Sequence, residues 1–231
     1  MCKGTQTCTA LGTDSTKWSR EAPLPVPNFF EKAVEGFTIA VASLIDGNKE
    51  DSLVALKETN HKAVGEFFIE HGQQSAYFRV QNRLEIDKKN RIAKDLNNSP
   101  RLIPKVEKEV FERDSYRCRY CGLRIISKEV FTEYSRIVGS DNFSVERENS
   151  KRNGLTLGLR GVADHVEPYA SGGETSIDNL VTSCYSCNFG KAGYTLEQIG
   201  IFDPRLKRPV NDGWSGLTEF LPALREMKKV G

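Results

Sequence analysis

The chain of 231 residues carries 33 Lys+Arg against 31 Asp+Glu and is 38% hydrophobic and 28% charged, an ordinary globular composition that fits one medium domain or two small ones. A net charge of +2 gives no global field to draw in a polyanion, and the longest nearly unbroken apolar run, Phe37 to Ile45, has nine residues against the roughly 20 a membrane span needs. No membrane partner is expected, and because the start MCKGTQTCTALGTDSTKW has no apolar core of a secretory signal, the expected compartment is cytoplasmic.

Residues 1–27 are polar and then proline-rich at Pro23, Pro25 and Pro27, which reads as a flexible or extended lead-in. From Asn28 a helical period places Phe29, Phe30, Ala33, Val34, Phe37, Val41, Leu44 and Ile45 on one broad face and ends at Asp46-Gly47. A second helix is predicted from Asp51, with Leu53, Val54, Leu56, Val64, Phe67 and Phe68 as its apolar positions, stopping at His71-Gly72, where Gly suits a left-handed cap. The two form a hairpin within a helical N-terminal region, 28–100, that closes at the turn-like Asn97 to Pro100.

The second half, 101–231, starts with Pro104 as a first helical residue and Val106, Val110 and Phe111 at helical spacing. A further helix is predicted from Ser127 through Val130, Phe131, Tyr134, Ile137 and Val138 to Gly139, followed by a polar stretch, Ser140 to Gly154. Leu155, Leu157 and Leu159 alternate with Thr156, Gly158 and Arg160, the period of a strand feeding into Asp164-His165.

Cysteine spacing carries the first chemistry. Cys118/Cys121 and Cys184/Cys187 form two C-x-x-C pairs, and in a cytosolic chain four such thiolates match tetrahedral Zn²⁺ better than disulfides. The 62 residues between Cys121 and Cys184 make room for a whole subdomain whose base the zinc clamps. Two pairs without a thioredoxin-like context also disfavour a dithiol redox protein. Cys2 and Cys8 read as free thiols of the tail, and His61 and His71 as helix-face or C-terminal cap residues.

Between and around the pairs lie an Asp-His dipeptide at 164–165, Gly172-Gly173, Asn179, Asn188 and Lys191. The order R-D-x-Y-x-C-x-x-C-G, D-H-x-x-P-x-x-x-G-G, N-L-V and C-x-x-C-N-x-x-K, over about residues 104–200, resembles the HNH endonuclease family. Asn188 stands at the third position, as in the H-N-N variant, and the run AGYTLEQIGIFDPR after Lys191 resembles a group of bacterial HNH proteins. Taken alone, Asp164-His165 reads as a hydrogen-bonded turn and Lys191 as a surface lysine; the surrounding motif reverses the first reading.

Two chemical requirements fit independently. Phosphodiester hydrolysis needs a base for the attacking water, which a near-neutral imidazole supplies, and a hard cation, which oxygen donors hold. The resemblance implies an α+β chain, its N-terminal helical region followed by a ββα-metal nuclease core with a structural zinc. It also implies the roles: Asp164 and Asn188 hold catalytic Mg²⁺ or Mn²⁺, His165 is the general base, Asn179 fixes the loop and the His165 backbone, and Lys191 meets a phosphate oxygen. The substrate implied is DNA, most often double-stranded, cut to 5′-phosphate and 3′-hydroxyl ends. The alternative is a catalytically inactive zinc-containing module that binds nucleic acid.

The 42 residues between Cys121 and Asp164 point to an insertion at about 125–160, whose Arg147, Lys151, Arg152 and Arg160 are expected to contact phosphates. The N-terminal helices are open to target choice, homodimerisation, or docking on a partner of a restriction or phage-defence system.

Overall fold

The computed structural model of the chain describes residues 8–81 and 104–227. Cys2 and the turn at 97–100, with the boundary read there, therefore lie outside the described residues.

Helix α1 (Phe29–Ile45) buries Phe30, Ala33, Val34, Phe37, Val41 and Leu44, the face that its 3.6-residue period sets out. It ends at Asp46-Gly47, where Gly47 takes φ +83°, and packs against α2 (Lys49–Glu58) as the expected hairpin. The single second helix expected from Asp51 to His71 is instead two. Thr59 closes α2, Asn60 turns the chain at φ +52°, and α3 runs from His61 to Gln81. Gly72 thus lies inside a helix rather than at its cap, and a side chain there would touch Phe189 at 3.6 Å. His71 is likewise internal and buried, a helix-face residue rather than a cap, with its Nδ1 at 3.6 Å from the sulfur of Cys8, which remains a thiol as expected, but a buried one.

The lead-in is anchored rather than loose over its described part. Trp18, Ala22 and Leu24 are buried, and the fully buried guanidinium of Arg79 donates to the carbonyls of Ser19, Ala22, Pro23 and Ile199 at 2.8–3.2 Å. A buried charge persists only when its donors are satisfied, and these four carbonyls tie residues 19–23 to the far end of the chain. Their partners are backbone atoms, which composition does not reveal.

Helix α4 (Pro104–Arg113) leads into the first cysteine pair, and α5 (Lys128–Val138) follows it, ending at Gly139 with φ +90°. Phe131, Tyr134 and Phe143 gather around Phe37 of α1 at ring-centroid distances of 5.0–5.4 Å for the three pairs. The stretch read as an insertion is therefore part of the main core. One continuous apolar cluster runs from Ala22 and Phe30 through Ile125, Val130 and Leu159 to Leu224, joining helices from both halves of the chain.

The strand expected at Leu155–Leu159 is a short helix, α6 (Gly154–Gly158), capped by the Asn153 side chain on the Leu155 N–H at 3.0 Å. All five of its residues are buried, so the two-residue alternation marks no solvent face. Tertiary contact decides the conformation: a Cβ at Gly154 would lie 1.7 Å from the His61 carbonyl and one at Gly158 would lie 2.2 Å from Val64, so both glycines let α6 press onto α3.

Strand β1 (Gly161–His165) pairs antiparallel with β2 (Leu180–Cys184), in the register Asp164 opposite Val181 and His165 opposite Leu180. Helix α7 (Tyr185–Lys191) continues directly from β2, followed by α8 (Leu196–Ile199) and, near the end, α9 (Leu221–Glu226). The two-stranded sheet with α7 across it, preceded by helices, is the α+β arrangement expected.

Candidate active site and metal cluster

The four paired cysteines converge. Their sulfurs lie within 4.8 Å of one another, with Cys118, Cys184 and Cys187 buried and Cys121 half-buried. The Cys121 and Cys184 sulfurs are 3.8 Å apart, the edge of a tetrahedron whose metal–sulfur bonds are about 2.3 Å. Local turns build each half: the Cys118 N–H donates to the Leu123 carbonyl at 2.9 Å, Gly122 takes φ +80°, and the Cys187 N–H points at the Cys184 sulfur at 3.4 Å. Burial works against ionisation at Cys118, yet hydrogen bonds from the other three thiols outweigh it and hold that thiol well below its ordinary range. The Cys118 contact pushes Cys121 and Cys187 up. Four closely packed sulfurs, three of them buried, competing for one negative charge are the donor set that a soft dication relieves. The cluster fits a metal such as zinc.

Arg113 and Asp114, the R-D of the sequence motif, explain how the first pair is set against the sheet. The fully buried Asp114 carboxylate accepts from Arg113, from Arg119 at 3.0 Å and from the Thr182 N–H at 2.7 Å. Arg113 also donates to the Leu180 and Ile177 carbonyls, and the Arg119 N–H donates to the Thr182 carbonyl at 2.8 Å. The knuckle is thereby bonded to β2.

On β1, Asp164 is 6% exposed. Its Oδ2 accepts the Tyr120 hydroxyl at 2.6 Å, and the Lys191 ammonium stands 3.4 Å from both carboxylate oxygens. Burial pushes the Asp164 carboxyl up, against the pull of Lys191 and Tyr120. Burial and then Asp164 push the Tyr120 phenol well above its usual 10, so it remains a donor. The next residue, His165, is half-buried, with Nε2 at 2.8 Å from Thr175 Oγ1. Burial first and then the Lys191 charge lower its pKa below the ordinary 6.5, which favours the neutral ring.

Asn179 holds the loop beyond β1: its Oδ1 accepts the Glu167 N–H at 2.9 Å, and its Nδ2 donates to the Glu167 and Glu174 carbonyls at 3.0 and 2.9 Å. Its grip is on Glu167 and Glu174 rather than on the His165 backbone, which Lys191 holds instead. Gly173 belongs to the same device, because a Cβ there would lie 1.9 Å from the Glu167 carbonyl.

Lys191 departs from its expected place at a phosphate. It is 1% exposed and donates to the His165 carbonyl at 2.7 Å as well as to Asp164. Its aliphatic stem runs through the interior and delivers the charge from below the strand. Cys184, Cys187, Asn188 and Lys191 follow the spacing i, i+3, i+4, i+7, so α7 lines cluster sulfurs, amide and ammonium along one face. The Asn188 side chain is half-buried and makes no hydrogen bond among the described residues. The Asp164 carboxylate and the Asn188 amide are oxygen donors of the kind a hard dication takes.

The four basic residues of the expected phosphate surface are dispersed. Arg147 and Lys151 are exposed, with Lys151 paired to Glu148 at 2.9 Å. Arg152 is spent on the Glu146 and Arg147 carbonyls. Arg160 lies with its guanidinium 5.4 Å from the Tyr185 ring, its buried Nε without a partner. Acidic Asp141 and Glu66 line the same cleft between this loop and α3 as Lys151 and Arg152.

Tyr120 and Thr175 are the contacts sequence reading passed over. Tyr120 was in view between two cysteines, and Thr175 followed the double glycine, but neither residue type announces a hydrogen bond to a particular side chain. Among the described residues no helix is long and apolar enough to cross a membrane. No curated protein and no solved structure matches the chain. The family model described as HNH endonuclease matches residues 160–192, the span that holds β1, β2 and α7. This ββα segment is thus similar to the HNH endonuclease family over those residues of the chain.

Proposed function

We propose that this protein is a metal-dependent endonuclease that hydrolyses phosphodiester bonds of DNA at Asp164, His165 and Asn188. The observation that carries the reading is the half-buried His165, its pKa lowered by burial and by Lys191, next to the buried Asp164 carboxylate on β1. The family-model match over residues 160–192 supports a nucleic-acid substrate and nuclease chemistry in general; duplex DNA and the roles below are our reading.

His165 acts as base. His165 Nε2 lies 2.8 Å from Thr175 Oγ1; in our reading the ring takes the tautomer that donates Nε2–H to that hydroxyl, which puts the lone pair on Nδ1 to take the proton of the attacking water. Water oxygen bonds to phosphorus, the bond to the 3′-oxygen breaks, and that oxygen collects a proton from solvent, leaving 5′-phosphate and 3′-hydroxyl ends. Asp164 and Asn188 would hold Mg²⁺ or Mn²⁺, which when bound neutralises charge on the phosphate and the leaving oxygen. Lys191 fixes the Asp164 carboxylate and the His165 backbone, and Asn179 fixes the loop that carries Thr175. The four cysteines would hold a structural zinc that clamps α7 to the first knuckle.

Incubation of supercoiled plasmid with wild type and His165→Ala, under Mg²⁺, Mn²⁺ or EDTA, tests this. Nicking or linearisation by wild type alone, abolished by EDTA, is expected. Equal cleavage by both proteins, or cleavage that survives EDTA, would overturn the reading.

A further inference from the structure

We propose that Tyr120 is a positioning residue of this centre: a phenol mounted on the cysteine knuckle that aims the Asp164 carboxylate at the catalytic cation and so links the two metal sites. The inference rests on the reading of Asp164 as a ligand of that cation.

Tyr120 sits between Cys118 and Cys121, is 2% exposed, and reaches Asp164 Oδ2 at 2.6 Å, within the short range of a charge-assisted O–H···O⁻ bond. The segment that carries it is fixed twice. Both flanking cysteines belong to the sulfur cluster, and the Arg119 N–H bonds the Thr182 carbonyl of β2, whose Thr182 pairs with Ala163, the neighbour of Asp164. A carboxylate on a free side chain rotates about its last torsion. Here Oδ2 takes the short bond from the knuckle side, while the Lys191 ammonium stands at a longer 3.4 Å from both oxygens, so the phenol is the contact that fixes which way the carboxylate plane faces. Outer contacts of this kind hold metal ligands in place, and their removal costs about 10–100-fold in metal affinity. The arrangement also gives the structural cluster a consequence at the reaction centre. Once its metal is lost, the residue that orients Asp164 is no longer held.

Tyr120→Phe removes the hydroxyl and keeps the ring in place. Mn²⁺ titrated into zinc-loaded wild type, Tyr120→Phe and Asp164→Asn, with free Mn²⁺ followed by electron paramagnetic resonance and zinc measured by elemental analysis, gives a readout independent of cleavage. The expected result is Mn²⁺ affinity about tenfold or more weaker in Tyr120→Phe, with zinc content and melting temperature as in wild type. Wild-type affinity in Tyr120→Phe, alongside loss of binding in Asp164→Asn, would overturn the role of Tyr120 and leave the nuclease reading standing. Zinc lost together with Mn²⁺ in Tyr120→Phe would also overturn it, making the phenol a support of the knuckle alone. Unchanged binding in Asp164→Asn would remove Asp164 as a ligand, and this inference with it.

Discussion

The Lys191 ammonium bridges two consecutive residues of β1, at 3.4 Å from the Asp164 carboxylate and 2.7 Å from the His165 carbonyl. Both charged groups are nearly sealed from water, at 1% and 6% exposure, so neither is satisfied without the other. Removing one partner of such a pair leaves an uncompensated buried charge and costs about 3–5 kcal/mol. Lys191→Met is expected to lose stability on that scale in urea denaturation, and the double variant Lys191→Met/Asp164→Asn to recover part of it. Additive losses would show that the two side chains do not depend on each other.

The sulfur cluster makes a separate prediction. Purified protein is expected to contain about one zinc per chain, and chelation to unfold the sheet and α7 before the N-terminal helices, because the binding energy of a structural metal is folding energy. Metal content by elemental analysis and circular dichroism during chelation check this. Protein that is folded and zinc-free after preparation under reducing conditions would contradict it.

Much of this centre is legible in the sequence because it is built from side chains whose types are rare and whose spacing is fixed: the two C-x-x-C pairs meet, and Asp164-His165, Asn188 and Lys191 fall on one strand and one helix. What escaped was decided by long-range packing. Leu155 to Leu159 alternate like a strand, yet burial on all sides and the fit of Gly154 and Gly158 against α3 make them helical. The lead-in looked unstructured because Arg79 grips backbone carbonyls, which every residue possesses. Lys191 looked like a surface cation because nothing in its neighbours announces that its stem runs inward to Asp164.

Acidity tests the base. His165 is held below the ordinary 6.5 by burial and by Lys191, and the unprotonated ring is the active form, so activity present at neutral pH is lost as pH falls through that lowered value. A rate profile measured at saturating metal is expected to show an acid limb with its midpoint below 6.5. An acid limb centred above 6.5 would contradict a lowered His165.

For the loop after α5, Arg147 and Lys151 are the exposed cations, and each phosphate they neutralise contributes about 0.9 to the slope of log affinity against log salt. Arg147→Glu/Lys151→Glu is therefore expected to weaken duplex binding and to reduce that slope by about 1.8, measured by fluorescence anisotropy in catalytically inactive His165→Ala protein. An unchanged slope would place the phosphate contacts elsewhere.

The most direct test of the proposed centre is chemical rescue of the base. His165→Gly, assayed on a labelled DNA duplex with Mg²⁺ under single-turnover conditions, is expected to lose cleavage by about 10²-fold or more and to regain part of it with added imidazole, in proportion to the unprotonated form. Cleavage at wild-type rate without imidazole would contradict His165 as the base.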